Sequence, residues 1–371
     1  MKHLLLPAVF FSVLCTSCLR EKDTAFTPKG NQKISFSLPV ASSITRSVNG
    51  KEYEADTPYD PNERFTIFGV KYPKGNYQGW GNSTPEYEGE IAAYNQAING
   101  WDTPIPHFWE VGQSYAFGAY SPSDCALGSP KYTAQGFQLT SYTVPSNLNE
   151  QYDLMYAKRI YNKTAIENPY PEEGMPTYNG ITLVFRHALA SVHFKVNIHE
   201  KNPQGTPSIS IQSIEINGIK NTGSFNENVI DDASGYKTSN DEDLASGTGI
   251  MNWDTECSAA NCTYDFFKGD QTLESTQAQD LTELNGAFGF VIPQALTDAA
   301  TVTIQWTLGQ TAKTTSFKLN GEGIPTITEA WKQGRRYTYH ISFTADRIYF
   351  NPTVEDLTDE FSTMELTPIL P

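Results

Sequence analysis

Three histidines, His187, His193 and His199, stand six residues apart, a spacing that invites a metal or general-base reading. On one continuous strand they would share a face. At roughly 3.3 Å per residue, neighbours would then lie about 20 Å apart, too far to hold one ion. They read as ordinary imidazoles on polar or half-buried faces. The acidic run Asp231, Asp232, Asp241, Glu242 and Asp243 offers carboxylate oxygens to Ca²⁺, but it lacks the spacing of a binding loop and reads as a solvated acidic segment. No G-x-S-x-G elbow, H-E-x-x-H helix or Gly-rich phosphate loop occurs. Forty-two acids give many accidental carboxylate pairs, so spacing alone singles out no glycosidase pair. The expectation is a chain with no catalytic residues, no metal and no cofactor.

The cysteines point to export. The single C-x-x-C, Cys15 to Cys18, closes an N-terminal stretch in which Lys2 and His3 precede a mostly apolar run from Leu4 to Leu14. That run is too short to span a bilayer as a helix, and it reads as a signal segment. Thr16 and Ser17 directly before Cys18 suggest lipoprotein processing, with Cys15 standing where such a box carries Leu. Cleavage before Cys18 would free its amine and thiol for acylation, and each buried CH₂ adds about 0.8 kcal/mol of membrane attachment. In an exported chain Cys257 and Cys262 could pair as a disulfide across a small loop. Cys125 reads as a buried small hydrophobe.

The elements that must carry these residues are strands. The chain has 371 residues, with Phe and Tyr at 20 each, Gly at 27 and Pro at 22, a composition of strands and turns. Ile34, Phe36, Leu38 and Val40 alternate with Ser35, Ser37 and Pro39, a first strand with one apolar face. Ala41 to Gly50 follow as a small polar loop carrying one base, Arg46. Further strands are expected over 65–70, 114–120, 137–144, 154–157, 181–185 and 191–196. A pair is expected over 209–216, and more strands over 289–292, 301–308, 315–319, 337–343 and 348–350. Residues 226–282 read as a long polar elaboration, and Thr326 to Lys332 as the best short helix. The expected architecture is all-β, two β-sandwich domains in tandem. Its divisions are a signal peptide (1–17), a spacer with the first strand (18–46), an N-terminal domain (47–176) and a C-terminal domain (177–371).

A mechanical role follows from the two ends. An open sheet edge templates another strand, with main-chain hydrogen bonds supplying affinity. The C-terminal run from Phe361 to Leu370 is apolar at Phe361, Met364, Leu366, Ile369 and Leu370, and it is kept extended by Pro368. A protease cutting between Arg46 and Ser47 would release the first strand with the lipid anchor. The groove so opened could accept the tail of another copy.

Five segments, in order along the chain, resemble the fimbrillin family, the subunits of type V pili, in its lipoprotein branch. They are the first strand with Ile44-Thr45-Arg46-Ser47, then Tyr115-Ala116-Phe117-Gly118-Ala119-Tyr120-Ser121-Pro122, and Asp153-Leu154-Met155-Tyr156-Ala157. The last two are Phe185-Arg186-His187-Ala188-Leu189-Ala190-Ser191-Val192-His193-Phe194 and the run from Trp331 to Ile341. The resemblance implies transthyretin-like sandwiches and acylation at Cys18 in the outer membrane. It also implies trimming after Arg46 by an Arg-specific protease, and assembly with other fimbrial subunits through the C-terminal segment into a cell-surface fimbria. Removing residues 1–46 takes away six bases and two acids, so the formal charge falls from −16 to −20. Such a charge keeps subunits soluble and excludes nucleic acid as a main partner. The competing reading is a monomeric surface lipoprotein that binds glycans on Tyr77, Trp80, Trp101 and Trp109.

Overall fold

The computed structural model describes residues 32–37, 46–48, 51–53, 64–98, 100–123, 129–165, 180–183, 185–227, 229–232, 235–238, 253–254, 262–284, 289–320 and 330–356. Among these the chain is nearly all β, and the one α-helical stretch is Leu281–Leu284.

The first half is built on an eight-stranded sheet. Its strands, in spatial order, are Ile181–Thr182, Phe36–Ser37, Gly100–Asp102, Thr84–Asn95, Arg64–Pro73, Gln113–Ser121, Met155–Lys163 and Phe185–His187. The two end strands are almost consecutive in the chain, so the sheet curls back on itself. Ring packing measures the curl. Phe36 and Phe117 lie four strand steps apart, about 19 Å if the sheet were flat, yet their centroids are 5.5 Å apart and edge-on. The interior holds Phe65, Tyr87, Trp101, Trp109, Ile181 and Leu183, all buried. Two glycines make room. A Cβ on Gly69 would lie 2.8 Å from the Tyr87 ring, and one on Gly118 would lie 2.2 Å from the Tyr132 ring. Glycine within a strand commonly marks such a close approach.

The outer face of this sheet is covered by a four-stranded sheet of Lys131–Thr133, Gly136–Thr143, Thr222–Asn226 and Trp253–Asp254. Phe68 meets Tyr132 at 5.8 Å, Tyr120 meets Phe137 at 5.4 Å, and Tyr156 meets Phe225 at 5.1 Å. This cover mixes strands from both halves of the chain. The eight-stranded sheet itself runs to His187, past the division expected at 176/177.

In the second half two further sheets face each other. One contains Ala190–Ile198, Gln279–Asp280, Phe290–Val291, Arg335–Phe343 and Ile348–Asp356; the other contains Ile209–Ile219, Cys262–Leu273, Thr301–Leu308 and Thr311–Lys318. They meet through Phe194 and Phe266 at 5.1 Å, Trp306 and Phe343 at 5.5 Å, and Phe317 and Phe350 at 5.2 Å. Ile348–Asp356 lies at the edge of its sheet and carries Pro352, a residue that edges tolerate because it needs no ladder donor.

The two halves are joined by side chains that behave like backbone. The buried Gln151 amide accepts from Phe290 N at 2.7 Å and donates to Phe290 O at 3.0 Å. Gln333 donates to the Tyr156 hydroxyl at 3.0 Å, and the Trp253 indole donates to Ala188 O at 2.7 Å.

Several elements differ from expectation. Residues 209–219 form one strand, not a pair. Residues 262–273 form a twelve-residue strand within the stretch expected to be a polar elaboration. Ala330–Trp331, at the end of the expected helix 326–332, is a strand paired with Gln294–Ala295. Arg46 does not lie in an open loop: Arg46–Val48 pairs with Lys51–Tyr53. The two short strands pair antiparallel, with Arg46 opposite Tyr53, Ser47 opposite Glu52 and Val48 opposite Lys51.

Candidate functional site

The first strand occupies a slot in the wall of the rolled sheet. Its even-numbered residues bond to one neighbour: Ile34 N donates to His107 O, and Gln32 O accepts from Trp109 N, both at 2.9 Å. Its odd-numbered residues bond to the other: Ser35 O and Ser37 O accept from Ile181 N and Leu183 N, also at 2.9 Å. The strand is antiparallel to Gly100–Asp102 and parallel to Ile181–Thr182. Ser37 and Thr182 add a hydroxyl pair at 3.0 Å. A segment this short is held by tertiary contacts, not by intrinsic strand propensity. Phe36 has 0% exposure and is met edge-on by Phe65, Tyr87 and Phe117 at 6.1, 5.9 and 5.5 Å. Burying such a side chain contributes about 1.5–3 kcal/mol.

One wall of the slot is braced by charge. His107, whose carbonyl receives Ile34, has its ring nitrogens 3.0 Å from Glu86 and 2.8 Å from Glu90, and its ring lies 4.0 Å from that of Tyr87. Lys71 joins Glu86 at 3.0 Å and also pairs with Glu110. These carboxylates, Glu110 first, raise the Lys71 pKa. Tyr115 accepts from Glu110 N and donates to Phe108 O, at 3.1 and 3.2 Å, and burial pushes its phenol up to about 12. The 107–110 connection is thereby fixed where the first strand passes it.

The residues that could do chemistry are placed differently. His187 is set 2.7 Å from the Asp153 carboxylate, His193 lies within 3.2 Å of Asp280, and His199 stacks on Tyr349 at 4.2 Å. The three imidazoles have three separate environments, and His187 and His193 are more deeply buried than expected. His193 also lies 3.0 Å from the Ser191 hydroxyl through its other nitrogen. Ser191, His193 and Asp280 thus have the distances of a nucleophile, base and orienting acid. Spacing did not reveal the set, because Asp280 comes from a distant segment. Ser191 and His193 are each 1% exposed, so no substrate reaches the hydroxyl. The hydrogen bonds tie Gln279–Asp280 to the strand beside it.

The four aromatics of the glycan-binding reading are buried. Tyr77 stacks on Tyr161, Trp80 lies under the Arg159 guanidinium at 4.4 Å, Trp101 packs on Tyr94, and Trp109 packs on Tyr115. None offers an open face to a sugar ring. Cys18, Cys257 and the tail residues Phe361, Met364, Leu366, Ile369 and Leu370 lie outside the described residues. Arg46 and Ser47 are described only as backbone of the hairpin. Cys262 opens its strand half-buried, and burial raises its thiol pKa.

Comparison with known proteins bears on this arrangement. A fimbrial protein from Bacteroides vulgatus aligns with a TM-score of 0.57 at 13% identity, over 88% of this chain and 100% of its own. A proposed cell adhesion protein from Bacteroides uniformis aligns with a TM-score of 0.51 at 16% identity, over 89% and 100%. At these identities the likeness is one of fold. Comparison with curated proteins returns no match. The family model described as fimbrillin-like matches residues 45–356, most of the chain, and the chain therefore belongs to the fimbrillin-like family.

Proposed function

We propose that this protein is a structural subunit of a cell-surface fimbria, exported as a lipoprotein through Cys18 to the outer membrane. An Arg-specific protease then removes residues up to Arg46, and subunits join by exchange of strands. The supporting observation is the interior position of the first strand, bonded on both sides and buried at Phe36. Its loss would leave a slot with unpaired backbone at 107–109 and 181–183 and an apolar floor of Phe65, Tyr87 and Phe117. Such a slot accepts an extended peptide by strand addition. The segment 361–370 of a neighbouring subunit is the proposed occupant, following the edge strand Ile348–Asp356. Two β-sandwich domains and the absence of enzymatic activity belong to the same proposal.

The hairpin at Arg46 adds a requirement. Proteases take substrates as extended chain, so Arg46–Val48 must unzip from Lys51–Tyr53 before cleavage. A two-stranded hairpin standing alone is marginally stable, which makes that step inexpensive. Limited digestion of the unacylated protein with an Arg-specific protease, followed by intact mass and electron microscopy, tests the reading. One cut after Arg46 followed by filaments is expected. No cut there, with the chain remaining monomeric, contradicts it.

A further inference from the structure

The first strand fits its slot well in shape and poorly in polarity. On the strand, the Ser35 hydroxyl and the Gln32 side-chain oxygen are buried without a hydrogen-bond partner. On the walls, the Tyr87 hydroxyl and the Trp109 indole N–H are buried without one as well. Ser35, Tyr87 and Trp109 are 3%, 2% and 5% exposed, so they are largely closed to bulk water. The two wall groups share a chemistry, since an indole N–H only donates and a phenol donates readily. The strand supplies acceptor oxygens, but none meets either donor. An unpaired buried donor forfeits its hydration without return, and native structures hold few of them.

We infer that Tyr87 and Trp109 are specificity determinants of the slot, selecting an incoming strand that carries hydrogen-bond acceptors among its apolar anchors. This rests on the strand-exchange reading and deepens it. The resident strand then acts as a placeholder. It buries Phe36 and satisfies the backbone, but it leaves two donors unpaired that a better partner can use. The tail supplies that chemistry on a face that also carries anchors: in an extended strand Thr363, Glu365 and Thr367 share one face with Phe361 and Ile369. On the face it turns to the two donors, the resident strand carries the apolar Ile34 and Phe36, and the Gln32 oxygen meets neither donor. Preference for the second strand over the first gives exchange a direction without new apolar contact.

Two measurements test this. Tyr87→Phe removes the hydroxyl and keeps the ring, and so leaves the packing against Phe36 intact. In the uncut protein it should leave the melting temperature unchanged or raise it. A fall of several degrees would mean that the hydroxyl is already satisfied, and would overturn the inference. In the trimmed protein, binding of a synthetic 357–371 peptide should weaken about five- to tenfold with Tyr87→Phe or Trp109→Phe. Binding of a 32–40 peptide should be unchanged by Tyr87→Phe. Replacing Glu365 and Thr367 in the tail peptide by Leu and Val should weaken binding to wild-type protein, with little further loss on Tyr87→Phe. Equal loss for both peptides, or none for either, overturns the specificity role alone. Failure of trimmed wild-type protein to bind the tail peptide at all, while it rebinds the 32–40 peptide, overturns the strand-exchange reading beneath it.

Discussion

The ring of Phe36 meets that of Phe117 edge-on at 5.5 Å, joining the first strand to a strand four steps away around the rolled sheet. Edge-to-face pairs of this kind add about 0.5–1.5 kcal/mol to the burial itself. The contact makes a peripheral piece of chain part of the core. It also gives the first strand a measurable share of the uncut protein's stability.

Phe36→Ala should therefore lower the unfolding free energy of the uncut protein by about 3–5 kcal/mol in urea titration. After trimming at Arg46, the variant and the wild type are the same molecule. Their filaments should be indistinguishable in dissociation by denaturant. A persistent difference would mean that the strand stays in the assembled form.

Gly118→Ala places a Cβ 2.2 Å from the ring of Tyr132, a buried residue of the covering sheet. Overpacking of this kind costs about 1–3 kcal/mol or more. Gly81→Ala is the control, because the nearest atom lies 3.9 Å from the new Cβ. Thermal melts should separate the two variants by several degrees.

Gln151→Leu keeps the volume of the junction but leaves Phe290 N and O without the amide that bonds both. Two buried backbone groups lose their partner at once, at a cost of about 2–4 kcal/mol. Hydrogen exchange should report faster opening at Phe290 than at the Phe36 slot.

Alkaline pH should unfold the protein through its buried phenols. Burial, ahead of the Glu227 charge, pushes Tyr156 up to about 12, and burial does the same for Tyr337. Below pH 10 both folded and unfolded chains keep the phenolic proton. Between pH 10 and 12 only the unfolded chain releases it, so stability falls as pH rises, by about 2–3 kcal/mol for a fully buried phenol. Tyr156→Phe should flatten its share of that fall. At neutral pH it should cost about 1 kcal/mol for the lost Gln333 bond.

Much of the strand set was legible where alternation was clean, as in Ala190–Ile198, or where a short apolar run ended at a turn signal, as in Gln113–Ser121, which is buried on both faces. Ile209, Ile211, Ile214 and Ile216 read as two strands because the spacing changes phase after Ile211. A register shift between Ile211 and Ser213 absorbs the extra residue, so all four point into the core of one strand. Thr84–Asn95 carries charges along a half-exposed face, and Cys262–Leu273 is flanked by polar loop sequence, so neither showed a period. For the slot, the sequence supplied the strand but not its walls. His107, Trp109, Ile181 and Leu183 converge only because the sheet rolls, and no local pattern encodes that closure.

The most direct test of strand exchange is amide hydrogen exchange at Ile181 and Leu183, whose N–H groups bond to Ser35 and Ser37. The account predicts protection in the uncut protein, loss of protection on trimming after Arg46, and its return in filaments. Filaments in which these two amides stay unprotected would contradict it.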